Sequence, residues 1–463
     1  MAPRLLHYSD IENAYDDPDR IGRLAGLLTA RRDAETLVLG TGDNTAPGVL
    51  ALVTRGAQAL DFYRAVEPDA ETFGNHDFDF GPERTRDIVR DSPQRWLTAN
   101  VRANGDRFGR ADGVERTAVF EVADARVGLF GVTDPTTPSL NPKATGLTFS
   151  DPIAAAREAV ADLRERGVDH VVALSHLGRG DETLAAEVDV DVILGGHVHA
   201  ERVERVHDTL LTRPGVNGEV VLEVSLPDRS VTRHEVADAP RHEGVAGALR
   251  ARMATAGVHH PVAHVAEPIE RTEKTAFRGE SRVGNFVADA YRWAALEADA
   301  ADGLPRERVV ALQNSGGIRA GTALDGDVTL ADLISLVPFE EPVAVVELSG
   351  ERLRETFAQA AGSRLGFGHP EWWHAHLANA HVTYDFERHA VVDARVGGEP
   401  LDPDAIYRLA TSDYLLHTTN EFPALGEDDR VATLDTQYEV LAAYARTVGI
   451  APELEGRIVH QRA

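Results

Sequence analysis

The run Gly74-Asn75-His76-Asp77-Phe78-Asp79-Phe80-Gly81 gathers a metal-ligating amide, an imidazole and two carboxylates in one glycine-bounded loop. That set suits phosphoester cleavage at a two-cation site, where amide and acid oxygens hold the ions and an imidazole handles a proton. Four more clusters carry side chains of the same kind: Asp10 with Glu12, Asp43, His176, and His197 with His199. Each follows a segment that reads as a strand, where open α/β sheets build their sites. An Asp-x-Glu alternation in an extended segment sends both carboxylates the same way, so Asp10 and Glu12 can grip one ion together. Asp43, with two oxygens on one carboxylate, is the natural bridge between ions. The chain has no cysteine, which excludes disulfides, thiolate ligands and a Cys nucleophile, so any metal must use nitrogen and oxygen.

These residues need a scaffold, and the pattern around them supplies one. Short apolar runs at Thr36 to Leu39, His170 to Leu174 and Asp191 to Leu194 alternate with amphipathic segments, which predicts strands covered by helices. Asp151 as N-cap, Pro152 at the first helical position and Gly167 as the stop punctuate a helix. Alternating runs predict hairpins over Thr117 to Val132, turning near Asp124, and over Glu219 to Glu235, turning at Pro227-Asp228-Arg229. Pro- and His-rich sequence from about Asp238 to Val262 brackets a helix at Glu243 to Ala256. The expected division is a catalytic domain at 1–240, a helical linker at 241–261 and a second domain at 262–463. The second domain is expected to open on an extended segment, Val262 to Arg271, followed by a helix from Arg282 to about Ala298. A final helix is expected near Thr436 to Thr447.

At 463 residues, two domains can each bury a core. The formal charge of −28, with Lys143 and Lys274 the only lysines, suits a surface kept soluble in strong salt, as in a halophile. The same charge repels phosphate backbones and argues against a nucleic-acid polymer as partner. The N-terminal Met1-Ala2-Pro3-Arg4 leads directly into a strand-like run, and no stretch reaches 18 uninterrupted apolar residues. The expectation is a soluble, cytoplasmic chain without a membrane partner; oligomeric state is not legible.

Taken together, the clusters resemble the 5′-nucleotidase family over nearly the whole length. The resemblance implies an α/β protein, an N-terminal metallophosphoesterase αββα sandwich followed by a smaller α/β nucleotide-binding domain. It implies metal-ligand positions at Asp10, Glu12, Asp43, Asn75, His176, His197 and His199, and a catalytic pair at His76 and Asp79. Two divalent cations follow as cofactors. The family's first motif normally reads Asp-x-His, so Glu12 is a departure; an added carboxylate favours Mn²⁺ or Mg²⁺, with Zn²⁺ the other candidate.

In the second half, Glu280-Ser281-Arg282-Val283-Gly284-Asn285 and Asn314-Ser315-Gly316-Gly317-Ile318-Arg319 set arginines and an amide beside glycine turns, a set suited to an anionic nucleotide. With Pro338-Phe339 they resemble the family's paired motifs, which implies substrate contacts at Arg282, Asn314 and Arg319. The family clamps a base between two aromatic rings. Tyr414 falls at one position, and Trp373 or His374 at the other. Asn420 falls where a Gly-Gly-Asp turn normally supplies an acid. The implied substrate is a nucleoside 5′-monophosphate, followed by 2′,3′-cyclic nucleotides or nucleotide sugars. A nucleotide-binding protein without turnover is the reading from another class, motivated by Glu12 and Asn420.

Overall fold

A computed structural model describes residues 3–298, 300, 303–365, 368–418 and 420–461. Met1 and Ala2, quoted above, lie outside the described residues. The chain divides into two compact units, 1–256 and 257–463.

The first unit is built on two six-stranded sheets. One runs Val231–Glu235, Val220–Ser225, Arg4–Tyr8, Thr36–Gly40, Ala70–Thr72, Arg95–Leu97; the other runs Arg202–Val206, Thr209–Arg213, Val192–Gly195, His170–His176, Ala125–Thr133, Thr117–Val122. Strand alternation explains the layering. Leu5, Leu37, Leu39, Val172, Leu174, Val192 and Leu194 share a core in which both sheets meet. Their neighbours Leu6 and Val38 face the helices Pro18–Arg31 and Glu243–Ala256, and Val171, Ala173 and Ile193 face the helix Pro152–Glu165. Residues of both parities are therefore buried, which is why the strands read as unbroken apolar runs. The result is a helix–sheet–sheet–helix stack.

The helix Pro152–Glu165 begins as its punctuation requires, with the Asp151 carboxylate accepting the N–H groups of Ile153 and Ala154. Both expected hairpins form. The helix expected as a linker packs into the first unit instead, where Val245, Leu249 and Met253 join the core under the Pro18–Arg31 helix. A buried apolar stripe of that size would be costly to leave in a free connector.

The second unit pairs the long strand Pro261–Arg271 with Gly321–Thr329 and contains a five-stranded sheet ordered Ala375–Ala378, Val309–Asn314, Ile406–Ser412, Pro342–Ser349, Arg430–Thr436. A four-stranded sheet completes it. The helices Arg282–Glu297 and Gln437–Thr447 pack with one face of the larger sheet, and the helix Gly350–Gln359 lies with the other.

Candidate active site

Strand direction gathers the first unit's clusters. Arg4–Tyr8, Thr36–Gly40 and Ala70–Thr72 are parallel neighbours, so the segments after them, with Asp10, Asp43 and Asn75-His76, leave the sheet at one edge. His170–His176 and Val192–Gly195 are likewise parallel and deliver His176, His197 and His199. The extended Asp-x-Glu alternation is not what unites Asp10 and Glu12. Both have left-handed backbones, φ 49° and 48°, and Glu12 opens a 3₁₀ turn. Asp43 (φ 53°) and His197 (φ 71°) are also left-handed. Such conformations cost non-glycine residues about 1–3 kcal/mol each and cluster at functional sites. They are held by cross-loop bonds: the Asp10 N–H donates to the Gly42 carbonyl and the Glu12 N–H to the Asp43 carbonyl, at 3.0 and 3.1 Å. Gly74 is required by close approach, since a Cβ there would lie 2.2 Å from Asp43 Oδ1.

Donor atoms of Asp43, His176 and His197 lie within 4.8 Å of one another, as do those of Asp10, Glu12 and His199, and those of Glu12, Asp43 and His76. The amide oxygen of buried Asn75 has no hydrogen-bond partner. His176 Nδ1 donates to the Thr41 carbonyl at 2.7 Å, turning Nε2 toward Asp43 Oδ2 at 3.0 Å. A ring fixed through one nitrogen with the other free to ligate is the usual arrangement around a bound metal. An orphaned amide oxygen, shared acids and nitrogen–oxygen donors fit divalent cations.

The same groups perturb one another strongly. Burial raises Asp10 to about 7, with Asp43 and Glu12 adding to it against His176. Burial opposes charge on His176, but Asp43 outweighs it and raises the imidazole to about 10. His197, beside that cation and deeply buried, is lowered to about 4. His199 is raised chiefly by its bond to Glu12, 2.9 Å away.

His76 and Asp79 lie one turn apart, with Nδ1 3.0 Å from Oδ2 and 3.1 Å from Oδ1. Burial works against charge on His76, yet Asp79 and Asp43 favour its charged form and raise it to about 10. Two supporting residues carry roles that the sequence did not assign. Asp77 accepts the N–H groups of Asp43 and Gly74 and the Thr45 hydroxyl at 2.7–2.9 Å, which ties the Asp43 and Asn75 loops together. Asn141 reaches both Asn75 and Asp79.

In the second unit, Asn314 ends a strand parallel to the one before Tyr414, so both leave the sheet at the same edge. They meet at Glu421, which the sequence reading passed over. Its buried carboxylate accepts from Asn314 Nδ2 at 2.9 Å and the Tyr414 hydroxyl at 3.2 Å, and lies 2.6 Å from His374 Nε2. Asn420, expected in the acid's place, is exposed, and the inward-facing carboxylate is the next residue. Trp373 is also corrected: its indole is fully buried between Tyr384 and His460, centroids 5.5 and 5.8 Å away. Alternation along the segment sends His374 to the polar side, with its ring stacked 5.4 Å from Phe277. Arg282 directs its guanidinium to the carbonyls of Pro452, Pro268 and Glu267 rather than to the Glu421 cluster. The Arg319 guanidinium lies over the Phe339 ring, 5.1 Å from its centroid.

Residues 3–201 match the calcineurin-like phosphoesterase family, and residues 261–427 match the 5′-nucleotidase C-terminal domain. The chain is 25% identical to the 5′-nucleotidase of Bos taurus, over 98% of this chain and 90% of that protein. It is 23% identical to the trifunctional nucleotide phosphoesterase YfkN of Bacillus subtilis, over 98% of this chain but only 34% of that longer protein. Its fold matches the crystal structure of a 5′-nucleotidase precursor from Thermus thermophilus, with a TM-score of 0.80, 24% identity and full coverage of both chains. A sulfate thiohydrolase, SoxB, from the same organism also shares the fold, with a TM-score of 0.72, 21% identity and 99% and 96% coverage. Among the described residues, no helix is long and apolar enough to cross a membrane. The chain belongs to the 5′-nucleotidase family, a phosphohydrolase that joins a calcineurin-like metallophosphoesterase domain to a 5′-nucleotidase C-terminal domain.

Proposed function

We propose that the chain hydrolyses nucleoside 5′-monophosphates to nucleoside and phosphate at a site holding two divalent cations. The observation that carries this reading is Asp43, whose carboxylate lies beside His176 and among two of the donor clusters while the His76–Asp79 pair stands next to it. Asp10, Glu12 and His199 would share Asp43 around one ion, and Asn75, His176 and His197 would share it around the other. When bound, such a pair supplies a nucleophilic oxygen at neutral pH and neutralises phosphoryl charge.

The protein's own part is acid catalysis and orientation. Asp79 engages Nδ1 of His76, which leaves Nε2–H available as the donor. An imidazolium there stabilises charge on the phosphoryl oxygens and protonates the departing 5′-alkoxide. No covalent intermediate is needed. In the second unit, Asn314, Tyr414 and Arg319 support recognition of a nucleoside carrying negative charge, with Tyr414 offering a stacking face.

The test is phosphate release, at high salt to suit the −28 charge, from nucleoside monophosphates, cyclic nucleotides, nucleotide sugars and p-nitrophenyl phosphate, with Mn²⁺, Mg²⁺ or Zn²⁺ supplied separately. Metal-dependent release fastest from a 5′-monophosphate is expected. Faster cleavage of a cyclic nucleotide or nucleotide sugar would replace the substrate reading. Silence from folded, metal-loaded protein would favour a binding protein without turnover.

A further inference from the structure

Asn141 stands at the end of the short helix Thr137–Leu140, 62 residues beyond Asp79 in sequence and buried against it. Its amide nitrogen donates at 2.7 Å to the backbone carbonyl of Asn75 and at 2.9 Å to Asp79 Oδ1. Its amide oxygen accepts the Lys143 N–H at 2.9 Å. Both partners of the nitrogen are pure acceptors and the partner of the oxygen is a pure donor, so only one amide orientation satisfies the network. The residue's own backbone is fixed too, its N–H donating to the Thr137 carbonyl at 2.8 Å and its carbonyl accepting from Ala144 at 3.0 Å.

These bonds fall on either side of His76. One grips the peptide carbonyl of the residue before it. The other sets the rotation of the carboxylate that pairs with its ring, so that both Asp79 oxygens stay within 3.1 Å of Nδ1. A carboxylate held only by the imidazole could turn about its own bond and carry the ring with it. A group anchored to the Asn75 peptide cannot.

Resting on the reading of His76 and Asp79 given above, we infer that Asn141 is a positioning residue for proton delivery, which aims the His76 Nε2–H at the leaving oxygen by locking Asp79 to the Asn75 loop. Asparagine is the side chain that fits. Aspartate keeps the shape and the Lys143 bond but turns two donations into oxygen–oxygen contacts, and alanine leaves a buried carbonyl and a carboxylate oxygen each without one donor.

The test uses full-length, metal-loaded protein carrying Asn141→Asp or Asn141→Ala. Turnover is compared on a nucleoside 5′-monophosphate, whose alkoxide needs a proton to leave, and on p-nitrophenyl phosphate, whose phenolate does not. The expected result is a fall in kcat on the nucleotide of about 10- to 100-fold, against less than about 3-fold on the aryl ester, with bound metal and KM little changed. In a His76→Asn background, Asn141→Ala should add no further loss, because two residues acting through one step do not add. Equal losses on both esters, no loss, or a full additional loss in the His76→Asn background would each overturn the inference. The isosteric Asn141→Asp carries the test where the alanine variant unfolds. His76→Asn alone separates the two layers. If it slows the nucleotide selectively while the Asn141 variants do not, the positioning role fails and the reading of His76 stands. If it slows neither ester, both fail.

Discussion

His176 Nε2 lies 3.0 Å from Asp43 Oδ2 while its other ring nitrogen is tied to the Thr41 carbonyl. The ring is thereby fixed with Nε2 toward Asp43, an acid that belongs to two donor clusters. Replacing Asp43 by Asn keeps the volume and removes the charge that both ions would share. Metal analysis after dialysis should find bound divalent metal reduced by half or more, and phosphate release should fall about 100-fold or more. Full metal content with full turnover would mean that Asp43 bridges nothing.

Glu12 bonds His199 at 2.9 Å, so the added carboxylate lies among the candidate donor groups. Glu12→His restores the Asp-x-His pattern and softens the donor set. The ratio of Zn²⁺-supported to Mn²⁺-supported turnover should rise several-fold in the variant. An unchanged ratio would show that Glu12 does not set metal preference.

The pH dependence of stability has a source at Glu71, fully buried beneath the site and bonded by Tyr8 and Asn44. Burial raises its carboxyl to about 8 from 4.5, against the pull of those bonds. A raised carboxyl stays protonated in the fold, so its contribution is fully present below 4.5 and is lost as pH climbs toward 8, where the unfolded chain has already released the proton. Each pH unit in that window costs about 1.4 kcal/mol. Glu71→Gln should therefore gain in Tm relative to the unsubstituted protein as pH rises from about 5 to about 8. Parallel Tm curves would place the carboxyl's titration elsewhere.

Glu421 holds Asn314 and Tyr414 from the same carboxylate. Glu421→Ala and Tyr414→Ala should each raise KM for a nucleoside 5′-monophosphate about 10-fold or more and change KM for p-nitrophenyl phosphate little. An equal rise on both esters would remove this cluster from nucleoside recognition.

What the sequence shows depends on how far a signal reaches along the chain. The helix after Asp151 is written in adjacent residues, cap, proline and stop, and forms where they predict. Strand ends mark where Asp43 and His176 project, because parallel strands share an edge. The turns that unite Asp10 with Glu12 carry no such mark: left-handed backbone at non-glycine residues is imposed by cross-loop bonds from residues 42 and 43. Asn141 and Glu421 were missed for the same reason. Asn141 acts on partners 62 and 66 residues away and Glu421 on partners 7, 47 and 107 away, and no local period or spacing points to either. Trp373 misled because an aromatic beside a motif reads alike whether it faces a ligand or the core, and only the neighbouring Tyr384 and His460 decide.

The most direct test is a metal titration of the stripped protein, following phosphate release from a nucleoside 5′-monophosphate at high salt as Mn²⁺ is added. A two-ion site sharing Asp43 predicts no release without metal and full turnover only as loading approaches two ions per chain. Full turnover at one ion, turnover without metal, or no release at any loading would contradict it.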